Sequence, residues 1–192
     1  LEPIFMLSDD IRSQLPEDSK RFEQVDQRWK ELMLDAASQS GLIVEICCAE
    51  GREDVLNEIH LTIETCEKAL NDYLEQKKKA FPRFYFVSTA DLLDILSNGN
   101  NPVKVMIHMN KCFQAIEKLT LDTENPGAGK RPKAKAIISC VGKETIPFKS
   151  DMGLDGKVED YMNLIIDKMR SELKLHCFDS MQAYNNPKPR HE

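Results

Sequence analysis

The chain has 192 residues, of which 41% are hydrophobic and 30% are charged, and its formal net charge is −6. This negative charge disfavours a nucleic-acid-binding protein, which would present a basic surface. No apolar run approaches the roughly 20 residues that cross a membrane. The length suits one large domain or part of a longer protein, and because the chain begins at Leu1 without an initiator methionine, we expect an excised piece.

The cysteines predict packing rather than chemistry. Six of them lie at positions 47, 48, 66, 112, 140 and 177, and none forms a C-x-x-C pair. The nearest approach to a metal cluster is His108 with Cys112, together with His176 beside Cys177. Free cysteine packs as a small hydrophobe. We therefore interpret the thiols as packing residues in a reducing, cytosolic compartment, not as metal ligands or nucleophiles.

The first 80 residues are predicted to form a helical bundle. A brief helix stops at Pro16, which also opens the next helix. In that helix, apolar residues recur at three- and four-residue steps from Phe22 through Trp29 to Ala36. We interpret Trp29 as a core anchor; a ligand-stacking role is the alternative. Residues 42–48 predict a short buried helix.

A long strut helix is predicted from Arg52 to Lys79, about 40 Å in length at ~1.5 Å per residue, with Tyr73 on its buried face. A coiled coil is the alternative, but the apolar seam is short and impure, which favours packing in an antiparallel bundle. Three lysines, residues 77–79, fall in the last turn, where cations complement the helix dipole. Contact with an acidic partner is the other interpretation.

The centre of the chain is the aromatic run that follows this helix. Pro82 stops the helix, and the consecutive aromatics Phe84, Tyr85 and Phe86 predict a buried strand with Tyr85 on the opposite side from the two phenylalanines. Ser88 and Asp91 then predict a capped helix that ends at Asn98-Gly99. The residues to which we assign a structural or mechanical role are Trp29, Tyr73, Phe81, Pro82, Phe84, Tyr85, Phe86, Leu92 and Leu93.

Residues 81–121 thus predict a strand and two helices. The second of these helices opens at Pro102 and buries a face from Val105 to Leu119. Residues 122–135 predict a mobile surface loop. Its Gly127 to Lys130 segment resembles a phosphate-binding loop but lacks the earlier glycine and the following Ser or Thr, so we expect no nucleotide binding there.

The last third predicts a hairpin, a helix and a tail. Residues 136–148 form two β-prone runs joined by Gly142-Lys143, and Pro147 confines the second run to an edge or a bulge. Residues 157–178 have the periodicity of an amphipathic helix, and residues 179–192 predict a polar tail.

The run FPRFYFVSTADLLDILSNGN, residues 81–100, closely resembles the linker region of dynein heavy chains, which precedes their ring of AAA+ modules. The resemblance covers most of the chain and includes the initial LEPIF, the FEQVD segment with Trp29, the Cys47-Cys48 pair and the late VEDYM. The FPRFYF and DILSNGN forms resemble the axonemal heavy chains in particular.

The resemblance implies a mainly α fold: an elongated antiparallel helical rod with one short strand and a small β-hairpin. It implies a mechanical lever without catalysis or cofactor of its own, moving over the ring of the same heavy chain, where the parent motor binds ATP and Mg. The implied partners are that ring, other dynein subunits and microtubules, with no nucleic acid and no membrane. The implied location is the cytoplasm, the cytoskeleton and the ciliary axoneme.

By the same resemblance, the hairpin turn, Val141, Gly142, Lys143 and Glu144, is a candidate contact with the ring. Residues after Glu192 in the parent chain should lead to a Walker A motif. Two other classes stay open: a helical interaction scaffold without a power stroke, and a small metal- or thiol-dependent enzyme. The enzyme would need exposed, reactive cysteines, and neither Ser88 nor Ser139 has a placed histidine.

Overall fold

The computed structural model describes residues 1–7, 9–38, 41, 43–122 and 131–185. These residues are mainly helical and include a small three-stranded antiparallel sheet, so the predicted mainly α class is confirmed. The chain divides into two compact units, Leu1–Gln76 and Lys77–Glu192. None of the helices in the described ranges combines the length and apolar character that a lipid bilayer requires of a spanning segment.

The first unit is built from helices alone in its described residues. They are α1 Glu2–Leu7, α2 Asp9–Gln14, α3 Pro16–Ser38, α4 Ile43–Cys47 and α5 Arg52–Ala80, whose last turn belongs to the second unit. Pro16 is the first residue of α3, as predicted, because a first-turn position does not need the N–H that proline lacks. The stacked rings of Phe5 and Phe22, 5.2 Å apart, join α1 to α3.

Three contacts show that α3 and α5 run antiparallel. Near the start of α3, the Cys66 thiol donates to the Asp18 carbonyl at 3.6 Å. Further along, Arg28 pairs with Glu58 at 2.8 Å. At the end of α3, Asp35 accepts from Arg52 at 2.5 Å. As the residue numbers of the contacting residues increase along α3, those of their partners decrease along α5. The two helices are therefore antiparallel, as predicted for this part of the chain.

Two predictions for the first unit are wrong. Trp29 is 44% exposed, so within the described residues it is not a core anchor, and the neighbouring Met33 is also exposed. The buried stripe of α3 consists of Phe22 and Val25 near its start, where α1 and α2 cover it. The predicted buried helix at residues 42–48 exists as α4, but Ile43 and Val44 are exposed.

In the second unit, the last turn of α5 is followed by a short 3-10 helix, Pro82–Phe86, where we predicted a strand. Its hydrogen bonds are local: the Phe84 N–H donates to the Phe81 carbonyl at 3.0 Å and the Val87 N–H to the Phe84 carbonyl at 3.2 Å. The predicted alternation fails with it, since Phe84 is buried but Phe86 is 79% exposed. Helix α6, Thr89–Ser97, follows and ends at Asn98 as predicted.

The helix predicted to open at Pro102 and to bury a face from Val105 to Leu119 is wrong in its second half. Pro102 does open α7, Pro102–Val105, which continues through a 3-10 turn, Met106–His108, into α8, Met109–Cys112. The chain then becomes extended and forms β1, Ile116–Leu121. The predicted apolar residues are nevertheless all buried: Val105, Met106, Met109, Cys112, Phe113, Ile116 and Leu119.

The sheet has the order β1-β2-β3, with β2 Ala134–Ser139 and β3 Thr145–Met152. The predicted hairpin is therefore present, although β2 starts two residues earlier than residue 136 and β3 extends beyond residue 148. Pro147 lies on β3, an edge strand, as its missing N–H requires. The predicted loop at residues 122–135 lies largely outside the described residues, since these omit 123–130.

The last helix, α9, runs from Val158 to Asn185. It is longer than the predicted 157–178, so the first part of the predicted polar tail, through residue 185, is helical. The remainder of that tail lies outside the described residues. The start of α9 is buried through Tyr161, Met162 and Ile165.

Candidate functional site

The joint between α5 and α6 is organised by aromatic rings. The rings of Phe81 and Phe84 meet edge to face with centroids 4.8 Å apart, and Phe113 lies 6.4 Å from Phe81. Arg83 places its guanidinium 4.7 Å from the centre of the Phe113 ring and donates to the Cys112 carbonyl at 3.1 Å. We call Phe81, Arg83, Phe84 and Phe113 the aromatic joint. Because these residues are packed on one another, the turn after α5 has little freedom to bend.

A polar cluster joins α6 to the α7–α8 segment. The Ser88 hydroxyl accepts from the Asp91 N–H at 3.2 Å, which is the predicted helix cap. The Asp91 carboxylate also accepts from Lys111 at 2.7 Å and from the Ser88 hydroxyl at 2.7 Å, and these two bonds lower the pKa of the carboxyl. His108 is buried, and its Nε2 lies 2.7 Å from Asp94. The cluster thus gives α6 fixed polar contacts in addition to its apolar face.

The last turn of α5 is joined to α9 by a buried ion pair. The Lys77 ammonium lies 2.6 Å from Glu159, and both side chains are largely buried. Asn163 donates to the Ala80 carbonyl at 3.1 Å, satisfying one of the free carbonyls at the end of α5. Lys77 therefore does more than complement the helix dipole, the role we predicted for residues 77–79. It pairs with an acidic group of its own chain.

Arg131 forms hydrogen bonds with the segment that follows α6 and with the loop that precedes α9. It donates to the carbonyls of Leu154 at 3.1 Å and Gly156 at 2.6 Å, and to the Asn100 side chain at 2.5 Å. Beside it, the Tyr161 hydroxyl donates to the Gly99 carbonyl at 3.3 Å, and burial raises the pKa of this phenol. These bonds hold irregular backbone that would otherwise lack partners.

A second buried charge joins α9 to β3. Glu172 is 1% exposed and accepts from Lys168 at 2.8 Å and from the Lys149 N–H at 3.2 Å. These bonds, that from Lys168 above all, lower the pKa of the carboxyl although burial opposes them. Lys168 also lies 5.2 Å above the ring of Phe148. Helix α9 therefore contacts β3 through the Glu172 carboxylate, whose charge is balanced by Lys168.

The hairpin turn presents an apolar tip. Gly142 and Lys143 both have positive φ, 71° and 53°, as a tight hairpin turn requires. The Ser139 hydroxyl donates to the Val141 carbonyl at 2.6 Å and accepts from the Glu144 N–H at 3.1 Å. Lys143 pairs with Glu117 of β1 at 2.5 Å, which lowers the pKa of that carboxyl. Val141 is 86% exposed at the tip of this ordered turn.

The structure brings some of the selected residues together and separates others. Phe81, Phe84 and Leu92 are buried in the second unit, Leu93 is half-buried, and Pro82, Tyr85 and Phe86 are exposed. Tyr73 is buried in the first unit. Sequence reasoning missed Arg83, Arg131 and the Lys77–Glu159 pair. The partners of that pair are 82 residues apart, and no local pattern marks them.

The thiol prediction is wrong in part. Cys66 and Cys112 are buried, as expected, but Cys47, Cys48 and Cys177 are exposed. Among the described residues, no three His, Cys, Asp or Glu side chains gather as a metal site would need. Among the described residues that line the hollow beside Cys47 and Cys48, the charged ones are carboxylates, and none is a cation that would favour a thiolate. The phosphate-loop-like Gly127 to Lys130 lies outside the described residues.

The fold and these contacts define a helical structural module in which charged and aromatic groups join elements of the chain to one another. The chain belongs to the dynein heavy chain family: residues 1–180 match the family described as "Dynein heavy chain, N-terminal region 2".

The relatives are dynein heavy chains of cilia and flagella. The chain is 48% identical over 190 residues to "Dynein alpha chain, flagellar outer arm" of Chlamydomonas reinhardtii, with 99% of the chain covered. It is 42% identical over its full length to "Dynein axonemal heavy chain 17" of Mus musculus and to "Dynein beta chain, ciliary" of Heliocidaris crassispina. It spans only about 4% of the length of these relatives.

Proposed function

We propose that this chain is part of the linker of an axonemal dynein heavy chain and acts as a mechanical lever without catalysis of its own. In this proposal the lever is an elongated antiparallel helical rod that moves over the AAA+ ring of the same polypeptide. ATP and Mg bind in the ring, and the movement displaces the motor along a microtubule within the ciliary axoneme, together with other dynein subunits. The family match over residues 1–180 carries the proposal.

The aromatic joint supports a lever because a lever must transmit force without bending. Phe81 and Phe84 are fully buried, and the Lys77–Glu159 pair joins the end of α5 to α9 beside them. Local opening would have to separate these packed rings, and loss of one partner of the ion pair typically costs ~3–5 kcal/mol because the other charge is left buried. The segment where the long helix ends is therefore stiff in the second unit.

The hairpin turn is the proposed contact with the ring. Val141 offers an exposed apolar side chain on a turn that Ser139 and the Lys143–Glu117 pair hold in place. An apolar side chain on a rigid support suits a contact that forms and breaks, because little conformational entropy is lost on docking. Val141→Asp in the heavy chain should weaken that contact and leave the fold intact, since the side chain has no buried surroundings to lose.

The lever proposal is tested by separating ATP hydrolysis from movement. In the full heavy chain, Phe84→Ala should slow microtubule gliding while basal ATPase activity is retained, because the joint is softened and the ring is untouched. Phe86→Ala is the matched control and should leave both unchanged, since Phe86 is exposed. Equal gliding by the two variants would favour the scaffold alternative, in which this chain transmits no force.

A further inference from the structure

The sheet leaves one of its edges open beside an apolar groove. Strand β1 is at the end of the order β1-β2-β3, so within the described residues it has a strand on one side only. Such an edge carries backbone N–H and C=O groups that can pair with a further strand. The other edge strand, β3, contains Pro147, which cannot donate a hydrogen bond, whereas the sequence of β1 contains no proline.

The groove on the open side of β1 has two different walls. One wall is a helical face of the α7–α8 segment, Val103, Met106, Ile107 and Asn110, whose spacing of three and four residues places them in one row. Val103 and Ile107 are among the exposed large hydrophobic residues, and Ile107 is 73% exposed. These side chains could cover the apolar side chains of an incoming segment.

The other wall is the strand itself. Glu117, Lys118 and Leu119 all line the groove, although consecutive side chains of a strand point to opposite faces. Consecutive residues can line one groove when the groove runs along the edge of the strand rather than over one face. The irregular pairing between Ile116 and Lys118 accompanies this arrangement. The groove therefore lies along β1, an edge strand with no second partner strand among the described residues, and has an apolar wall beside it.

The charges along the groove favour an acidic occupant. Glu117 is already paired with Lys143 at 2.5 Å, so its charge is compensated. Lys118 is exposed and makes no ion pair among the described residues. Lys118 thus places an exposed ammonium at the rim, next to which a carboxylate of an extended segment would lie.

We propose that the open edge of β1 is a docking site for an extended peptide segment of another polypeptide, which adds a fourth strand to the sheet. Its alternate side chains are apolar and contact Val103 and Ile107, and a carboxylate of the segment pairs with Lys118. Backbone hydrogen bonds to β1 supply affinity, and the apolar wall and the lysine supply register. A helix would not fit this site as well, because its backbone groups are already paired internally.

The test uses the full heavy chain and a labelled synthetic peptide, acetyl-Thr-Val-Glu-Val-Thr-Val-Thr-amide, measured by fluorescence anisotropy. We expect saturable binding, weakened at least about tenfold by Ile107→Asp, which places a charge on the apolar wall. Leu164→Asp is the matched control, since Leu164 is also an exposed leucine-sized residue, on α9 and outside the groove. It should leave the affinity unchanged.

A charge exchange and a proline-containing peptide distinguish strand addition from other modes of peptide binding. Lys118→Glu should weaken binding, and a peptide with lysine in place of its glutamate should restore it. A peptide with proline replacing its central valine should not bind, because it loses a backbone donor. The proposal is overturned by absence of saturable binding, by equal binding of the proline peptide, by failure of the charge exchange, or by competition from a second copy of the heavy chain that forms dimers at this edge.

Discussion

Phe84 and Phe86 lie two residues apart on one 3-10 turn but in opposite surroundings. Phe84 is fully buried in the aromatic joint, whereas Phe86 is 79% exposed. Truncation of a buried phenylalanine typically costs ~3–5 kcal/mol, while substitutions at exposed positions usually stay within ~0.5 kcal/mol. Phe84→Ala should therefore lower the free energy of unfolding severely, and Phe86→Ala should not, as measured by urea denaturation.

The pair distinguishes the turn from the strand that the sequence predicts. In a strand, both phenylalanines would point to one side, and both substitutions would be costly. A similar large loss from Phe86→Ala would contradict the structure of the turn. If neither substitution lowered the free energy of unfolding, the aromatic joint would not stabilise the second unit.

Glu172 makes the stability of the second unit sensitive to acid. Its bonds with Lys168 and the Lys149 N–H lower the pKa of the carboxyl from its ordinary value of 4.5. A group with a depressed pKa in the folded state stabilises the protein above its unfolded pKa, and this contribution is lost as pH falls through the folded pKa. Stability should therefore drop below about pH 4.5.

Glu172→Gln removes the titrating group and should flatten this part of the profile of unfolding free energy against pH. At neutral pH it should also destabilise the fold, since a buried polar group without its charged partner typically costs ~1–3 kcal/mol. Asp167→Asn is the control on the same helix, with an exposed carboxyl. A profile unchanged by Glu172→Gln would remove this account of acid sensitivity.

Five of the six cysteines should separate into two classes in a labelling experiment, while Cys140 is half-buried. Cys47, Cys48 and Cys177 are exposed and should react first with a maleimide under native conditions. Cys66 and Cys112 are buried, and burial raises the pKa of both thiols, that of Cys112 to about 11. Mass spectrometry should find adducts at the first three residues and none at the buried two before unfolding. Early modification of Cys112 would contradict the packing around the aromatic joint.

At the scale of the element, the Ser88 cap is a separable contribution to α6. Its hydroxyl satisfies one N–H of the first turn, and loss of such a cap typically costs ~1 kcal/mol. Ser88→Ala should lower the free energy of unfolding by about that amount. Thr89→Ala is the control, because Thr89 is exposed one residue later and makes no cap bond. Equal effects of the two would show that the cap contributes nothing specific.

Sequence periodicity predicted the long helices, since α3, α5 and α9 carry apolar residues at helical spacing and begin or end at recognisable residues. The same periodicity wrongly predicted a helix at β1, because the buried residues Ile116 and Leu119 are three residues apart, as on one face of a helix. An irregularity in the pairing after Ile116 puts both side chains on the buried side of a strand. No local pattern reveals such a bulge, because it depends on the partner strand β2.

The prediction of a strand at the 3-10 turn failed for a different reason. Three consecutive aromatics favour a strand statistically, but a strand needs a partner edge, and the N–H groups of Phe84 and Val87 find local carbonyls instead. The burial of Trp29 was overestimated because helical spacing marks an apolar stripe without saying how far neighbouring elements cover it. Buried charged pairs such as Lys77–Glu159 were also invisible, since their partners are far apart in the chain.

At the scale of the whole molecule, the proposed lever would change position as nucleotide turns over in the ring. The two units contribute differently: the first is a set of helices around the antiparallel α3 and α5, and the second contains the aromatic joint, the sheet and α9. Exposed Phe86 offers a reporter position beside the joint. A dye there requires a bio-orthogonal side chain, because Cys47, Cys48 and Cys177 would compete for thiol reagents.

The most direct measurement is therefore energy transfer from a donor at position 86 to an acceptor on the AAA+ ring of the full heavy chain. It compares the nucleotide-free motor with the motor trapped by ADP and vanadate. A lever predicts that the transfer efficiency differs between the two states and returns when nucleotide is removed. The same efficiency in both states, in a motor that still hydrolyses ATP and moves microtubules, would contradict the account.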